Sequence, residues 1–185
     1  MFYIKKNKTG TNSTEVHILS GKSNFQDFLL QTKTILNEVN NNFKFCVGDY
    51  NNDGNLDLFC ISKNNNESKT TEVHILSGIN NYRSWLLQTK TILHETNDDW
   101  EFGVSNYNGE GSKDIYCIFK RNENQKCTEV HILKGSTNYQ SWALQTITKL
   151  HETDDKFDFY PIDRQLFVIC KNGASISTEI HALKI

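Results

Sequence analysis

The sequence predicts an all-β fold built from repeated antiparallel units, and three observations lead to this prediction. Apolar and polar residues alternate in short runs, the runs are rich in β-branched and aromatic residues, and Asn, Asp and Gly separate them at intervals of roughly a dozen residues. The phrase Thr-Glu-Val-His begins at positions 14, 71 and 128, so that its copies are 57 residues apart. A constant spacing of this size is typical of stacked copies of one structural unit.

One complete unit contains four predicted strands. In the copy that begins at Phe43 they are Phe43–Tyr50, Leu58–Lys63, Thr71–Ser77 and Tyr82–Thr89. The connections are a turn rich in Asn, Asp and Gly, the polar loop 64–70 and a turn at 78–81. The Trp, Tyr, Thr and Ile content of the stretch 79–93 favours a strand over a helix there.

The ends of the chain predict two incomplete units around two complete ones. The units are 1–42 (partial), 43–99, 100–156 and 157–185 (partial), together forming a single repeat domain. Met1–Lys6 matches a second strand, and the chain closes on the equivalents of strands two and three. We expect a β-propeller-like arrangement, either small or completed by oligomerisation, because open strand edges pair with further strands. A β-trefoil-like threefold arrangement is the alternative.

Composition and charge exclude several functions. The formal net charge is −2, with 20 basic and 22 acidic residues of mixed order, whereas binding to nucleic acid requires concentrated Lys and Arg. The sequence has no run of about 18 apolar residues, so that membrane insertion by a helix is not expected. The N-terminus lacks the layout of a secretion signal. The location is therefore left open: cytoplasmic, exported by another route, or extracellular if the chain is a mature fragment.

The five cysteines are expected to be reduced and structural. Their number is odd and no Cys-x-x-Cys spacing occurs, so that zinc and redox motifs are not supported. Cys60 and Cys117 occupy the same repeat position inside an apolar strand, where a free thiol behaves as a small hydrophobe.

The turn between the first two strands of the 43–99 unit predicts a calcium site. Side-chain oxygens at Asp49, Asn51, Asp53 and Asp57, with a backbone oxygen at Asn55, have the alternating spacing that a hard cation requires. The second copy offers Asn106, Asn108, Glu110 and Asp114, a weaker set that lacks the first carboxylate and includes Lys113. In the third copy the loop is deleted. The alternative is an Asn/Asp-rich turn without an ion. We expect a structural calcium ion, bound in the first copy.

With this loop included, Phe43–Lys63 resembles an FG-GAP or VCBS-type repeat, the calcium-loop blade unit of integrin α-subunits and of some fungal lectin propellers. Taken with its copies, the resemblance covers nearly all of the chain. The longer phrase Ser-Thr-Glu-Val-His-Ile-Leu-Ser-Gly followed by Asn-Phe/Tyr-Gln is similar to arrays appended to secreted bacterial and fungal hydrolases. The resemblance implies a β-propeller and a binding role, often to carbohydrate.

Two repeated patterns are candidate sugar-binding residues. The first is the Glu and His of the third strand, which share one strand face: Glu72 and His74, Glu129 and His131, with copies at positions 15/17 and 179/181. Such a pair can bind a sugar hydroxyl, or it can form hydrogen bonds that hold neighbouring units together; the pattern favours the second interpretation.

The second pattern sets an amide and an aromatic ring beside a turn glycine. It comprises Asn24 and Phe25; Asn81, Tyr82 and Trp85; and Asn138, Tyr139 and Trp142. Aromatic rings beside amide donors suit sugars. We expect Tyr82 and Tyr139 to be exposed and the tryptophans to be in the core. The loops 37–38, 94–96 and 151–153 form a third repeated pattern. They are expected either to line the same sugar-binding groove as the Asn-aromatic pattern or to be simple turns.

The sequence thus predicts a multivalent, lectin-like module that binds glycans or glycoproteins. The alternative is a scaffold for protein interaction or self-assembly into a homo-oligomer, without sugar binding. An enzyme is not expected, because no hydrolase or phosphate-binding motif occurs and four equivalent active sites on one small chain are improbable.

Overall fold

The computed structural model describes residues 1–122, 124–171, 173 and 177–184, which form fourteen β-strands and no α-helix. The strands are β1 (Phe2–Lys5), β2 (Ser13–Leu19), β3 (Phe28–Asn37), β4 (Phe43–Gly48), β5 (Asp57–Ser62), β6 (Thr70–Leu76), β7 (Trp85–His94), β8 (Trp100–Ser105), β9 (Asp114–Asn122), β10 (Cys127–Leu133), β11 (Trp142–His151), β12 (Phe157–Ile162), β13 (Gln165–Cys170) and β14 (Glu179–Lys184). None of the described residues belongs to a helix long and apolar enough to cross a membrane.

The strands form four separate antiparallel sheets, each joined in chain order. Sheet 1 is β1-β2-β3, sheet 2 is β4-β5-β6-β7, sheet 3 is β8-β9-β10-β11 and sheet 4 is β12-β13-β14. The prediction of an all-β fold with four-stranded antiparallel units, cut to three strands at both ends, is confirmed. The described residues form neither a closed barrel nor a closed propeller, so that the trefoil alternative gains no support.

The fourth strand of each complete unit was predicted with wrong bounds. In sheet 2 it begins at Trp85 and runs to His94, whereas residues 77–84 form a compact turn. Within that turn the Tyr82 amide donates to the Ser77 carbonyl (2.8 Å) and the Ser77 amide to the Ser84 carbonyl (3.0 Å). Asn81 and Tyr82 both have positive φ (51° and 60°), which is incompatible with a strand.

The hydrophobic core lies between the sheets, because each sheet packs one apolar face on the next. Alternate residues of a strand point to opposite faces. The junction of sheets 1 and 2 contains Val16, Leu58, Cys60, Leu76 and Tyr82. The junction of sheets 2 and 3 includes Phe59, Ile61, Val73, Ile75, Cys117 and Tyr139. The junction of sheets 3 and 4 contains Tyr116, Ile118, Val130, Ile132, Leu166 and Val168. The five cysteines are free thiols, and Cys60 and Cys117 are fully buried.

The first strands of neighbouring units lie against one another. β8 contacts both β4 and β12, so that sheets 2, 3 and 4 meet along their first strands. The Lys44 ammonium pairs with the Glu101 carboxylate across this contact at 2.9 Å. The Cys46 thiol donates to the Phe102 carbonyl at 3.4 Å. The sheets therefore converge at one edge.

In the first three sheets a lysine at the end of the second strand reaches the residues at or just before the start of the next sheet. The Lys6 ammonium donates to the Phe43 carbonyl at 2.7 Å, and the buried Lys120 pairs with Asp155 at 2.9 Å. Lys63, also buried, pairs with Asp98 in the same way. Nothing local in the sequence indicates these contacts, since each partner lies at least 35 residues away along the chain.

Candidate functional site

The threonine of the repeated Thr-Glu-Val-His phrase fixes the end of the fourth strand of its own unit. The Thr71 hydroxyl donates to the His94 carbonyl at 2.8 Å. The copies behave alike: Thr14 donates to the Asn37 carbonyl and Thr128 to the His151 carbonyl, both at 2.9 Å. Since these threonines are fully buried, the hydrogen bond satisfies a hydroxyl that has no access to water.

The glutamate and histidine of the phrase form a pair in every unit. The distance from the His Nε2 to the Glu Oε2 is 3.3 Å for His17, 3.2 Å for His74, 2.9 Å for His131 and 3.5 Å for His181. The second carboxylate oxygen accepts from a loop of the same unit, as in the Ser68 hydroxyl to Glu72 at 2.7 Å. The predicted Glu–His hydrogen bond is present, but its partners belong to one sheet and do not bridge neighbouring units.

Aromatic rings flank these histidines. The His74 ring lies 5.8 Å from Trp85, between ring centroids, and the His131 ring lies 5.7 Å from Trp142. The tryptophans are half-buried and pack against the core, rather than filling it. Burial lowers the pKa of His74, while the Glu72 carboxylate opposes this shift. His74 Nδ1 is buried without a partner among the described residues.

The asparagine of the Asn-aromatic pattern has a backbone role. Asn24, Asn81 and Asn138 have φ values of 53°, 51° and 51°, in the left-handed region that asparagine tolerates better than most residues. The aromatic residue that follows also has positive φ in each copy. The pattern therefore describes a tight turn, and the amide type does not require a ligand to explain it.

The expectation that Tyr82 and Tyr139 are exposed is wrong. They are 3% and 0% exposed, and each ring fills the junction between its own sheet and the preceding one. The Tyr82 hydroxyl donates to the Leu56 carbonyl and the Tyr139 hydroxyl to the Lys113 carbonyl, both at 3.0 Å. Burial raises the pKa of Tyr82 to about 12. These two rings cannot stack on a sugar.

The same turn docks on the fourth strand of the preceding unit. The Ile35 amide donates to the Tyr82 carbonyl at 3.2 Å, and the Ile92 amide donates to the Tyr139 carbonyl at 3.3 Å. The Arg83 side chain reaches Thr32 at 3.2 Å. Among the described residues no sheet lies before the first copy, Asn24 and Phe25, and Phe25 is 53% exposed. In the second and third copies the turn is a contact between units, whereas a sugar site at the first copy stays a prediction.

The carboxylates of the predicted calcium loop bind backbone amides. Asp57 is fully buried, and it accepts from the Gly78 amide (2.8 Å) and the Tyr50 amide (2.9 Å). Asp49 accepts from the amides of Asp53 and Gly54 at 3.1 and 3.0 Å. Asp53 in turn accepts from the Asn55 amide at 2.8 Å and from the Asn51 side chain at 3.0 Å. No three His, Cys, Asp or Glu side chains of the described residues form a group that could hold a metal ion.

The second copy of the loop has the same buried carboxylate and more positive charge. Asp114 accepts from the amides of Tyr107 and Gly135 at 2.9 and 2.8 Å. Glu110 pairs with Lys134 at 3.2 Å. Asn106 and Asn108 line a surface cavity beside the Arg164 guanidinium, which lies over the Tyr107 ring. Positive charge beside this loop disfavours a cation there. In both copies calcium stays a prediction, since a carboxylate that accepts from backbone amides keeps lone pairs with which it can also bind a cation.

A groove at the junction of sheets 2 and 3 brings polar and aromatic groups together. It has a volume of about 430 Å³, and its lining includes His94, Thr96, Trp100, Phe119, Glu129 and His131. We call it the 94–131 groove. The Trp100 ring stacks on Phe119 at 4.8 Å between centroids, lies 5.5 Å from His131 and receives the edge of His94 at 5.9 Å. Two units thus build one site.

The polar groups of the 94–131 groove differ in their freedom to bind a ligand. Glu129 and His131 already form a hydrogen bond with each other at 2.9 Å, and His131 Nδ1 lies 3.2 Å from the Gln145 amide. The exposed His94 ring makes an aromatic contact with Trp100, but no hydrogen bond to another described side chain. Among the described residues, the His94 ring therefore has nitrogens that no other side chain of the groove engages.

At the other junctions, the positions equivalent to Trp100 and Phe119 have fewer aromatic side chains. Ser62 and Cys170 stand where Phe119 stands in sheet 3, so that no aromatic stack can form at those points. Phe43 and Phe157 replace Trp100. The loop 94–96, which was a further candidate from the sequence, lies in this groove together with Glu129 and His131. The Asn-aromatic turn does not line the groove. The tryptophan and phenylalanine were missed because they lie on different strands, and their stacking becomes visible only when those strands are paired.

Comparison with known proteins gives no relative: no protein-family model matches the chain, and neither a curated protein nor a solved structure does so.

Proposed function

We propose that this protein is a carbohydrate-binding module whose ligand occupies the 94–131 groove. The observation that carries the proposal is the open His94 imidazole beside the Glu129–His131 pair and the edge of the Trp100–Phe119 stack. Sugars present hydroxyl groups and apolar C–H faces at once, and small-molecule sites combine apolar walls with a few fixed polar groups in the same way. His94 and Glu129 would bind hydroxyls, while Phe119 contacts a C–H face.

The proposal places one main site at the middle junction, with weaker copies at the others. His151 and the loop 151–153 repeat the His-Glu-Thr sequence beside Phe157, and the His151 ring lies 6.5 Å from Phe157. The protein is multivalent only if the equivalent grooves at the other junctions also bind the glycan. Linked weak sites gain about 10²–10⁴ in avidity where geometry allows simultaneous contact.

We expect His94→Ala to weaken glycan binding about tenfold, because one lost hydrogen bond costs about 1–1.5 kcal/mol and a factor of ten corresponds to about 1.4 kcal/mol. Glycan-array screening of the whole chain identifies a ligand, and calorimetric titration then measures the dissociation constant. His151→Ala is the matched control, since it removes an equally exposed histidine at the next junction.

If the main site lies at the middle junction, the His151→Ala variant binds the glycan with the same affinity as the wild type. Equal losses in both variants would contradict a single main site. No glycan bound at millimolar concentration, with or without calcium, would refute the carbohydrate-binding proposal itself.

We keep calcium binding by the 49–57 loop as part of this proposal, since the oxygen spacing supports it. A site saturated at about a hundred times its dissociation constant adds roughly 2.7 kcal/mol to the free energy of unfolding, which corresponds to a rise in Tm of about 5–10 °C for a chain of this size. Thermal melts with calcium and with chelator measure this difference. The rise is expected to disappear in Asp53→Asn, and identical melting curves for the unmodified protein would reduce the loop to a hydrogen-bonded turn.

We also propose that the four sheets are arranged as blades of a β-propeller. The convergence of β4, β8 and β12 supports this arrangement, because propeller blades meet along one strand each around a central axis. A second candidate function is a self-assembly scaffold, and the apolar faces that remain exposed on sheets 1 and 4 favour it.

A further inference from the structure

Two sheet faces at opposite ends of the stack are largely apolar, and no other described sheet covers them. The sheet-1 face carries Met1, Tyr3, Leu19 and Phe28, together with the polar Lys5, Glu15, His17 and Gln31, around a shallow cavity of about 450 Å³. The sheet-4 face carries Tyr160, Ile162, Phe167, Ile169 and Ile180, with Asp158, Gln165 and Lys184 at its margin, as the pairing of β12, β13 and β14 places them on one side. Tyr3 is 55% exposed and Ile180 is 67% exposed. Contiguous exposed apolar surface of this kind marks an interaction site.

The repeat shows what covers such faces inside the molecule. Ile180 stands between the Glu and His of its phrase, at the position of Val16, Val73 and Val130, which are all 0% exposed. Tyr3 stands opposite the histidine of its unit, at the position of Cys60, Cys117 and Val168, which are also 0% exposed. The two exposed residues therefore occupy positions that the internal junctions bury completely.

The equivalents of these two residues also meet each other. Val16 and Cys60 share one core cluster, Val73 and Cys117 share the second, and Val130 and Val168 share the third. In all three junctions, the face equivalent to the sheet-4 face packs on the face equivalent to the sheet-1 face. The surface that complements the sheet-4 face is thus present on the same chain, but at the other end of the stack.

The Glu15–His17 pair on the sheet-1 face does not prevent its burial. The same pair lies on the corresponding face of sheets 2 and 3, as Glu72–His74 and Glu129–His131, and its side chains are about as accessible there as those of Glu15 and His17 are on the sheet-1 face. The internal junctions therefore accommodate a Glu–His pair of this kind, since each pair keeps its hydrogen bond within one strand. Lys5, opposite Glu15, is a charge that the internal junctions do not have at this position.

We propose that two copies of this chain associate head to tail, with the sheet-4 face of each copy packed on the sheet-1 face of the other. Two such junctions close a ring of eight sheets, within the range of four to eight blades that propellers typically have. A head-to-tail contact that closes gives a defined oligomer, whereas one that does not close gives fibres. The proposal does not depend on sugar binding.

The proposed junction between two copies lacks one contact that the junctions inside the molecule have. Inside the molecule the turn that contains Tyr82 docks on the fourth strand of the preceding sheet, but no described strand follows β14 in sheet 4. The Phe25 turn therefore has no fourth strand to dock on. We expect a dimer that dissociates on dilution.

Size-exclusion chromatography with light scattering tests the proposal on the whole chain. The expected mass is about twice the 21.4 kDa of one chain, falling toward the monomer on dilution. Ile180→Lys and Tyr3→Glu are each expected to give monomers, because each places a charge in both junctions of the ring. Ile79→Lys is the matched control: Ile79 is 62% exposed but lies in a turn, away from both faces, so that this variant remains a dimer.

Mixing the two monomeric variants separates lost association from lost folding. In the mixed dimer one junction combines both substitutions, with opposite charges facing each other, and the other junction is unaltered. We expect dimers to return on mixing, and all variants to retain the melting temperature of a folded monomer. A wild-type protein that is monomeric at its highest soluble concentration, or variants that dimerise as the wild type does, would overturn the proposal. Open-ended polymers would overturn the closed ring.

Discussion

Replacing Gly78 with alanine lowers the free energy of unfolding by about 3 kcal/mol, and Tm by about 10 °C, because the added Cβ has no space. That atom would lie 2.2 Å from the Leu56 carbonyl oxygen, a backbone atom that also accepts the Tyr82 hydroxyl. To relieve the overlap, the turn and the loop before β5 must separate. This breaks the Tyr82 hydrogen bond and the bond between the Gly78 amide and Asp57.

The repeat supplies a matched control for this prediction. Gly21 occupies the same position in the first unit, where an added Cβ would meet only the Phe25 ring, at 3.9 Å. Gly21→Ala is expected to leave Tm unchanged or slightly raised, since alanine reduces the entropy of the unfolded chain. Gly135→Ala, with its Cβ 2.3 Å from the Lys113 carbonyl, should behave like Gly78→Ala. A Gly78→Ala protein that melts like Gly21→Ala would show that the loop before β5 can move away at little cost.

Replacing Asp57 with alanine is expected to have a comparable effect, without calcium. The substitution leaves the Gly78 and Tyr50 amides without acceptors in a site closed to water. Hydrogen bonds to a charged group contribute about 1.5–3 kcal/mol each, and a buried unpaired donor is costly, so that a loss of roughly 3–5 kcal/mol follows. Chemical denaturation in the presence of chelator measures it.

Asp53→Ala is the control for Asp57, because its carboxylate belongs to the same loop but is exposed. We expect little change in chelator. If both substitutions destabilise the chain only when calcium is present, the amide bonds of Asp57 contribute little and the ion accounts for the effect.

The pH dependence gives an independent check on Asp57. Burial raises the pKa of its carboxyl group, although the Gly78 and Tyr50 amides oppose the shift. A carboxyl group with a raised pKa in the folded state binds more protons there than in the unfolded chain, so that its contribution to stability is greatest below the unfolded pKa and declines as the pH rises through the folded pKa. The stability difference between wild type and Asp57→Ala should therefore be larger at acidic than at neutral pH.

The sequence predicts the strands well, because alternation and turn composition are local properties. β4, β5 and β6 lie within one or two residues of their predicted bounds. The start of β7 was missed for a physical reason: a tyrosine with positive φ is uncommon, and at Tyr82 it is supported by the amide bond to Ser77, by the hydroxyl bond to Leu56 and by packing on sheet 1. Contacts between residues as far apart in the chain as Tyr82 and sheet 1 cannot be predicted from the residues around position 82.

The candidate site was only partly predictable for a related reason. Aspartate in a turn serves equally as a calcium ligand or as an acceptor for backbone amides, and the residue types of the 49–57 loop are the same in both cases. The Asn-aromatic turn was predicted to be a sugar site because asparagine is expected in two situations, in a left-handed backbone conformation and as an exposed amide donor to a ligand. The sequence does not distinguish them. Trp100 and Phe119 in the 94–131 groove are separated by a whole strand connection, and their contact depends on the register of β8 and β9.

The docking of each turn on the unit before it gives the chain a direction. The Tyr82 turn docks on Ile35 and the Tyr139 turn on Ile92, so that each of the two four-stranded units completes its fold on a surface made by the unit N-terminal to it. A ribosome releases the units in this order, and each newly made turn meets a strand that has already folded. Stability that spreads only between neighbours also makes losses local: among the described residues no turn docks on β11 as the Tyr82 and Tyr139 turns dock on β3 and β7, and we expect fraying to begin at that strand.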